Sequence, residues 1–250
     1  MQRKDTEPTF PIFAQMAPDA MLASSKAKGT SMVDTSLYPA IREAIKQNEI
    51  GNASPYMLSY ARLGESGASF GIFQGDTHVN ATARDVLRQV LEAAGADAVT
   101  VGRIGTALDA ALPHGSPLSA ADNTLVNNAL ASDRGKALVD AMDTTLLNVV
   151  LGYLDKCNAA AAQKGWTIAP VALLYIALWV NMTGAPDTLC KWLGGTSVMG
   201  LAPPAGPTVT QANLETYLQA TSYFHAHPQN FKHMHDSVMA GAKLLPAGAA

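Results

Sequence analysis

Three acidic side chains stand where they could act on one bond: Glu49, Glu65 and Asp76. The last two sit in the run Gly64-Glu65-Ser66-Gly67-Ala68-Ser69-Phe70-Gly71-Ile72-Phe73-Gln74-Gly75-Asp76-Thr77-His78, a glycine-punctuated turn ending on an amide and a carboxylate. Cleavage of a glycosidic bond needs one acid to protonate the leaving oxygen and a second group on the opposite face. In an inverting enzyme that second carboxylate activates water from about 6.5–9.5 Å away. Gly64, Gly67, Gly71 and Gly75 would let the backbone take positive φ and approach a substrate closely. Gln74 offers a donor and an acceptor to a sugar hydroxyl or N-acetyl group, and Gly71 and Ser69 would line the same turn.

Glu49 is delivered differently. Leu37, Ile41, Ile45 and Glu49 are spaced four apart, so a helix puts them on one edge. An acid closing an apolar stripe costs free energy unless it is paired or protonated. Gly51 and Asn52 follow at once, so Glu49 also sits at a helix C-terminus, where the dipole disfavours negative charge. Desolvation and dipole both raise its pKa, as a general acid working near neutrality requires. The bland alternative is an ordinary helix-end acid turned to water or paired with a base such as Arg62.

Glu49, a variable segment, and then Gly71-Ile72-Phe73-Gln74-Gly75-Asp76 resemble goose-type lysozymes and the wider lysozyme-like superfamily. There a catalytic Glu ends a helix and a G-L-M-Q-x-D motif closes the cleft. The resemblance puts Glu49 on the general acid, Gly71 and Gln74 on the motif Gly and Gln, and Asp76 on an Asp that positions or activates water. Glu65 falls near a further loop acid, at a spacing a few residues longer. Ile72-Phe73 replaces Leu-Met, and Ile50-Gly51 stands where many transglycosylases have Ser after the Glu. The match covers about 30 of 250 residues. It implies a hydrolase of β-1,4-linked amino-sugar polymers, peptidoglycan first and chitosan second, acting with inversion. The rivals are a lytic transglycosylase, which needs no water-activating base, and a non-catalytic glycan-binding domain. The resemblance also implies work outside the cytoplasm, secreted or periplasmic. Met1-Gln-Arg-Lys-Asp5 has charge but no apolar stretch behind it, so no secretory signal is expected there.

Other motifs carry less. Gly67-Ala-Ser69-Phe-Gly71 matches G-x-S-x-G, but a nucleophile elbow needs a strand before the Ser and a helix directly after it. His225, His227, His233 and His235 are dense, yet histidines two apart on a helix point to different sides, so no metal site is expected. No motif calls for a cofactor. His78 could orient Asp76 or meet substrate, and Asn181, the polar tip of an apolar helix, could line the opposite cleft wall. Tyr56 and Tyr60 are the aromatic side chains chosen for stacking on sugar rings, with Trp179 and Trp192 assigned to core.

The elements that must hold these residues are mainly α-helical, a lysozyme-like arrangement with at most a short hairpin over residues 69–79. Residues 1–33 carry Pro8, Pro11, Pro18 and Gly29 without periodicity and form an extended arm. Residues 34–250 make one catalytic domain, with 201–208, rich in proline, its weakest boundary. Helices are expected over 36–49, from Asn80 to Gly95, over 97–112, 120–131 and 133–163, from Pro170 to Met182, and from Pro186 to Gly194. Two more run from Thr210 to His225 and from Pro228 to Leu244.

Composition bounds the rest. The chain is 48% hydrophobic and 15% charged, the balance of a folded protein. With net charge −3 and pI near 6.0 it lacks the basic footprint that nucleic acid or an anionic membrane would select. The longest apolar run, Val171 to Val180, is half a membrane span and reads as a buried helix, so no membrane insertion is expected. Cys157 and Cys190 are compatible with one disulfide or with two buried thiols. The expected partner is the polysaccharide substrate; oligomeric state has no signature.

Overall fold

Side-chain caps start several of the helices where the sequence places them. Residues 33–62, 66–183 and 187–247 are described by the computed structural model, and among them the chain is mainly helical. The arm over 1–33 lies outside the described residues except for Val33, and so do Gly64, Glu65 and Pro186. Asp34 caps a short 3-10 turn, Thr35–Leu37, that leads into α1 (Tyr38–Glu49). Three short strands follow: β1 (Ser59–Tyr60), β2 (Ala68–Phe70) and β3 (Gly75–Asp76). Asn80, Asp97 and Ser119 then accept main-chain N–H bonds at the starts of α2 (Ala81–Ala93), α3 (Ala98–Leu108) and α4 (Ala120–Ala131). The long α5 (Asp133–Ala162), β4 (Thr167–Ile168), α6 (Pro170–Thr183), α7 (Asp187–Leu193) and β5 (Thr208–Val209) come next. Thr210 and Asn213 form a reciprocal capping box for α8 (Gln211–Gln219), Thr221 caps α9 (Ser222–Ala226), and α10 (Pro228–Ala242) ends the series.

Two helix ends depart from the sequence expectation, each through a tertiary or capping hydrogen bond. The third expected helix stops at Leu108 rather than Leu112, because the Thr77 hydroxyl donates to the Leu108 carbonyl and the Leu112 N–H donates to Ser66 O. The helix expected from Thr210 to His225 breaks after Gln219, because the Thr221 hydroxyl donates to Leu218 O and accepts from Phe224 N–H.

The chain forms two compact units. One is built on Ala53–Asp143 and the other on the described parts of Gln15–Asn52 and Thr144–Ala250. The proline-rich connector at 201–208 falls inside the second unit. In the first, α2 packs on α3 and α4 through Val86, Leu87, Val90 and Leu91. Its antiparallel sheet has the order β1-β2-β3, with Ser59 opposite Ser69 and Ser69 opposite Asp76. Only β2 and β3 were foreseen as a hairpin.

In the second unit α1, α6 and α10 pack against one another, and α6 also packs on α8. Every residue of α6 from Ala172 to Met182 is buried, which suits a helix apolar all round. Alpha helices 1 and 10 come unusually close. A Cβ on Gly241 would lie 2.5 Å from Ala40 O and 2.8 Å from Ala44 Cβ, so only glycine fits. Strands β4 and β5 pair in parallel, a two-residue contact without a sequence signal. Helix α5 has the length and apolarity of a membrane span, but half of its most apolar stretch is buried within the protein, as in a core helix.

Candidate functional site

Glu49 ends the buried stripe as its spacing required. Ile41 and Ile45 have no exposed surface, Leu37 is buried, and Glu49 itself is half-buried. Two amides meet its carboxyl group: Asn48 Nδ2 donates to Oε1 at 3.1 Å and Asn181 Nδ2 donates to the same oxygen at 2.8 Å. Among the described residues neither bonds Oε2, which leaves that oxygen to carry a proton. Burial pushes the Glu49 carboxyl up from 4.5 to about 7, and the two amide bonds oppose the rise. Keeping this group out of water costs roughly 3 kcal/mol at high pH. Burying one isoleucine contributes about 1.5–3 kcal/mol. The Ile41-Ile45 stripe therefore holds the acid in place with a margin.

The surroundings come from α6, α9 and α10. Asn181 is buried, and its Oδ1 has no partner among the described residues. A side-chain amide can turn over, so Asn181 can donate to the carboxylate or accept from the protonated acid, where a lysine could only donate. The His233 ring Nε2–H donates to Asn48 O at 2.9 Å, satisfying a carbonyl in the last turn of α1. Tyr223 lies close enough to Glu49 for the carboxylate charge to add to burial in raising the phenol. Its ring heads an aromatic bank, 5.0 Å from Phe224, 5.3 Å from His227 and 6.3 Å from Trp179. Asn48, His233 and Tyr223 carried no sequence signal for this role. Asn48 reaches Glu49 from one position away, Tyr223 acts on it from across the unit and His233 acts on the Asn48 carbonyl, whereas the i, i+4 stripe and the polar tip Asn181 were readable.

Asp76 belongs to the other unit, and its setting is of another kind. The side chain has no exposed surface. Its Oδ1 accepts the N–H groups of Gly67 at 3.1 Å and His78 at 2.8 Å, and Oδ2 accepts Gly67 N–H at 3.0 Å. Burial raises the carboxyl and these main-chain donors oppose it. With no exposed surface, Asp76 presents neither carboxylate oxygen to solvent as it stands. Asp76 clamps its own loop, which corrects the expectation of a water-activating base.

The remaining motif residues serve the same loop. Gln74 is buried; Nε2 donates to Gly71 O at 2.9 Å, and Oε1 accepts a short bond from the Ser59 hydroxyl. Both ends of the amide are bonded within this unit and the side chain is buried, so Gln74 is withheld from a sugar by burial. Ser69 is fully buried with its hydroxyl unpartnered among the described residues, which removes it from substrate contact as it stands. Gly71 takes φ +83°, and a Cβ there would lie 2.6 Å from Asp143 Oδ1. Gly67 and Gly75 keep ordinary φ, whereas Gln74 itself is left-handed at φ 50°. Asp143, absent from the sequence expectations, is buried and accepts Ile72 N–H at 2.9 Å and Phe73 N–H at 3.3 Å. A lone Asp in a helix, 70 positions away, gave no sign of this.

Tyr56 and Tyr60 are half-buried in this unit, donating to Asp140 and Asn123 respectively. Lys136 also sits over the Tyr56 ring. It is the main chain of His78 that orients Asp76, while the ring Nδ1 is buried and unpartnered among the described residues. Glu65 lies outside the described residues. The four C-terminal histidines have separate places: His225 is exposed, His227 is against Tyr223, His233 is on Asn48, and His235 bonds Tyr175 and Glu215. A hollow of about 360 Å³ in the first unit, beside Arg84, Arg88 and Leu91, lies on α2 and α3. Its arginines are already bound to Thr77 O, His78 O, Asp109 and Glu92, so it offers no free cation to a ligand.

No family model, curated protein or solved structure matches this chain.

Proposed function

We propose that this protein is a lysozyme-like, mainly helical glycosidase that cleaves β-1,4 bonds of an amino-sugar polymer, peptidoglycan first and chitosan second. Glu49 is the proton donor. The observation that carries the reading is the Glu49 carboxyl: withdrawn from water, bonded by two amides through Oε1 alone, and protonated up to about pH 7. Oε2–H would protonate the glycosidic oxygen as the C1–O bond breaks. Tyr223, near enough to feel the carboxylate charge, and His227, packed against Tyr223 and exposed, would supply the rings on which a pyranose stacks.

One observation favours a second reading for the next step. With Asp76 enclosed by main-chain donors, a single-acid route fits better than inversion by a paired base. In that lytic transglycosylase route, ionised Glu49 takes the proton of the sugar's own C6 hydroxyl as its oxygen closes onto C1. The product is a 1,6-anhydro end, and no water is consumed. Incubation with insoluble peptidoglycan, chitosan, chitin and an unrelated β-glucan, followed by reducing-end assay and mass spectrometry, decides. Fragments that have gained water and a reducing end mark hydrolysis; anhydro ends mark the single-acid route. Failure to release fragments from any of the four polymers would overturn the glycosidase reading.

A further inference from the structure

Cys157 in α5 and Cys190 in α7 are free thiols 33 positions apart whose sulfurs lie 3.4 Å from each other. Cys157 has no exposed surface and Cys190 is partly exposed, so a reagent in solution reaches Cys190 first. We propose that Cys157 and Cys190 are a disulfide-forming pair, Cys190 the entry thiol and Cys157 the resolving thiol, oxidised by exchange with an external disulfide.

A disulfide brings its sulfurs to about 2.05 Å. The pair must close by a little over 1 Å from the contact already present, a shift within reach of two side-chain rotations. The chemistry is divided in the direction the geometry requires. A bond from the Cys157 thiol holds Cys190 below the ordinary thiol range and raises Cys157, and Lys156 favours the thiolate at both. Asp187 opposes this at Cys190. In the first step the Cys190 thiolate attacks one sulfur of R–S–S–R; that bond breaks, RS⁻ leaves, and Cys190 carries the mixed disulfide. The Cys157 thiol then loses its proton to solvent and attacks Cys190 Sγ, expelling the second RS⁻. One disulfide is made and one broken, and the two cysteine protons end on two molecules of RSH.

The test uses the reduced full chain, native and without denaturant, mixed with excess oxidised glutathione. Intact mass should fall by two hydrogens, alkylation of both cysteines, read after denaturing the oxidised sample, should be lost, and the oxidised protein should melt about 10 °C higher, as closing a loop of this length implies. Cys157→Ser should trap glutathione on Cys190, and Cys190→Ser should leave Cys157 unmodified. Persistent alkylation of both thiols, or a stable glutathione adduct on the wild-type chain, would overturn the proposal. The wild-type measurement stands even if a variant fails to fold.

Discussion

Glu49 and Asp76 are both acids drawn out of water, yet the two units treat them in opposite ways. Around Asp76 the donors are main-chain N–H groups divided over both carboxylate oxygens, and the side chain has no exposed surface. Around Glu49 the donors are side-chain amides gathered on one oxygen, the other is left for a proton, and the side chain keeps partial exposure. Fixed main-chain donors organise a loop; movable amides on one oxygen allow a change of protonation state. Burial alone therefore does not mark a catalytic acid. In the function proposed above, the distribution of donors does.

The sharpest way to break this contrast is Glu49→Gln. Polymer cleavage should fall by about 10²–10⁴-fold, the range of general acid catalysis, with the melting temperature undiminished. Full turnover by that variant on a confirmed substrate would remove Glu49 from the chemistry. Asp76→Asn should do the reverse. It puts an NH₂ group against N–H donors and should cost about 2–4 kcal/mol, seen in urea unfolding and in faster amide exchange at Gly67 and His78. A variant of normal stability that has lost all activity would make Asp76 the base after all.

The third expectation concerns pH. Folded Glu49 keeps its proton to about pH 7, whereas in the unfolded chain it is lost near 4.5. The stability tied to that proton is whole below pH 4.5 and disappears as pH rises to 7. Partial exposure reduces its size to about 2–3 kcal/mol. Urea titrations at pH 4.5 and 8 should show this fall in wild type and not in Glu49→Gln. The smallest effect belongs to Asn181→Leu. Removing one donor to the carboxylate should move the upper limb of the pH–activity profile upward by about one unit. An unshifted limb would reduce Asn181 to packing.

Much of the helical framework was legible because its starts are written in residue type. Asn80, Ser119 and Thr210 cap the helices they were expected to open, and Asp97, expected as the first residue of its helix, caps it instead. The ends set by Thr77 and Thr221 were not, since a threonine hydroxyl gives no sign of which carbonyl it will meet. At the candidate site, period four carried Glu49 to a buried edge, and the polar tip Asn181 was noted, although as a cleft-wall residue. The clamp on Asp76 was hidden because main-chain N–H groups leave no mark in a sequence. His233 was hidden because it bonds Asn48 from 185 positions away.

Gly241 is remote from this chemistry, yet it governs where the acid stands. A helix is stiff, and Ala44, which a methyl at 241 would strike, is five residues, about 7.5 Å, before Glu49 along α1. A shift forced at that contact would be carried down the rod to the carboxyl with little loss. One hydrogen atom on a side-chain-free position therefore fixes where the Glu49 carboxyl stands, and a larger residue at 241 would displace that group without touching it.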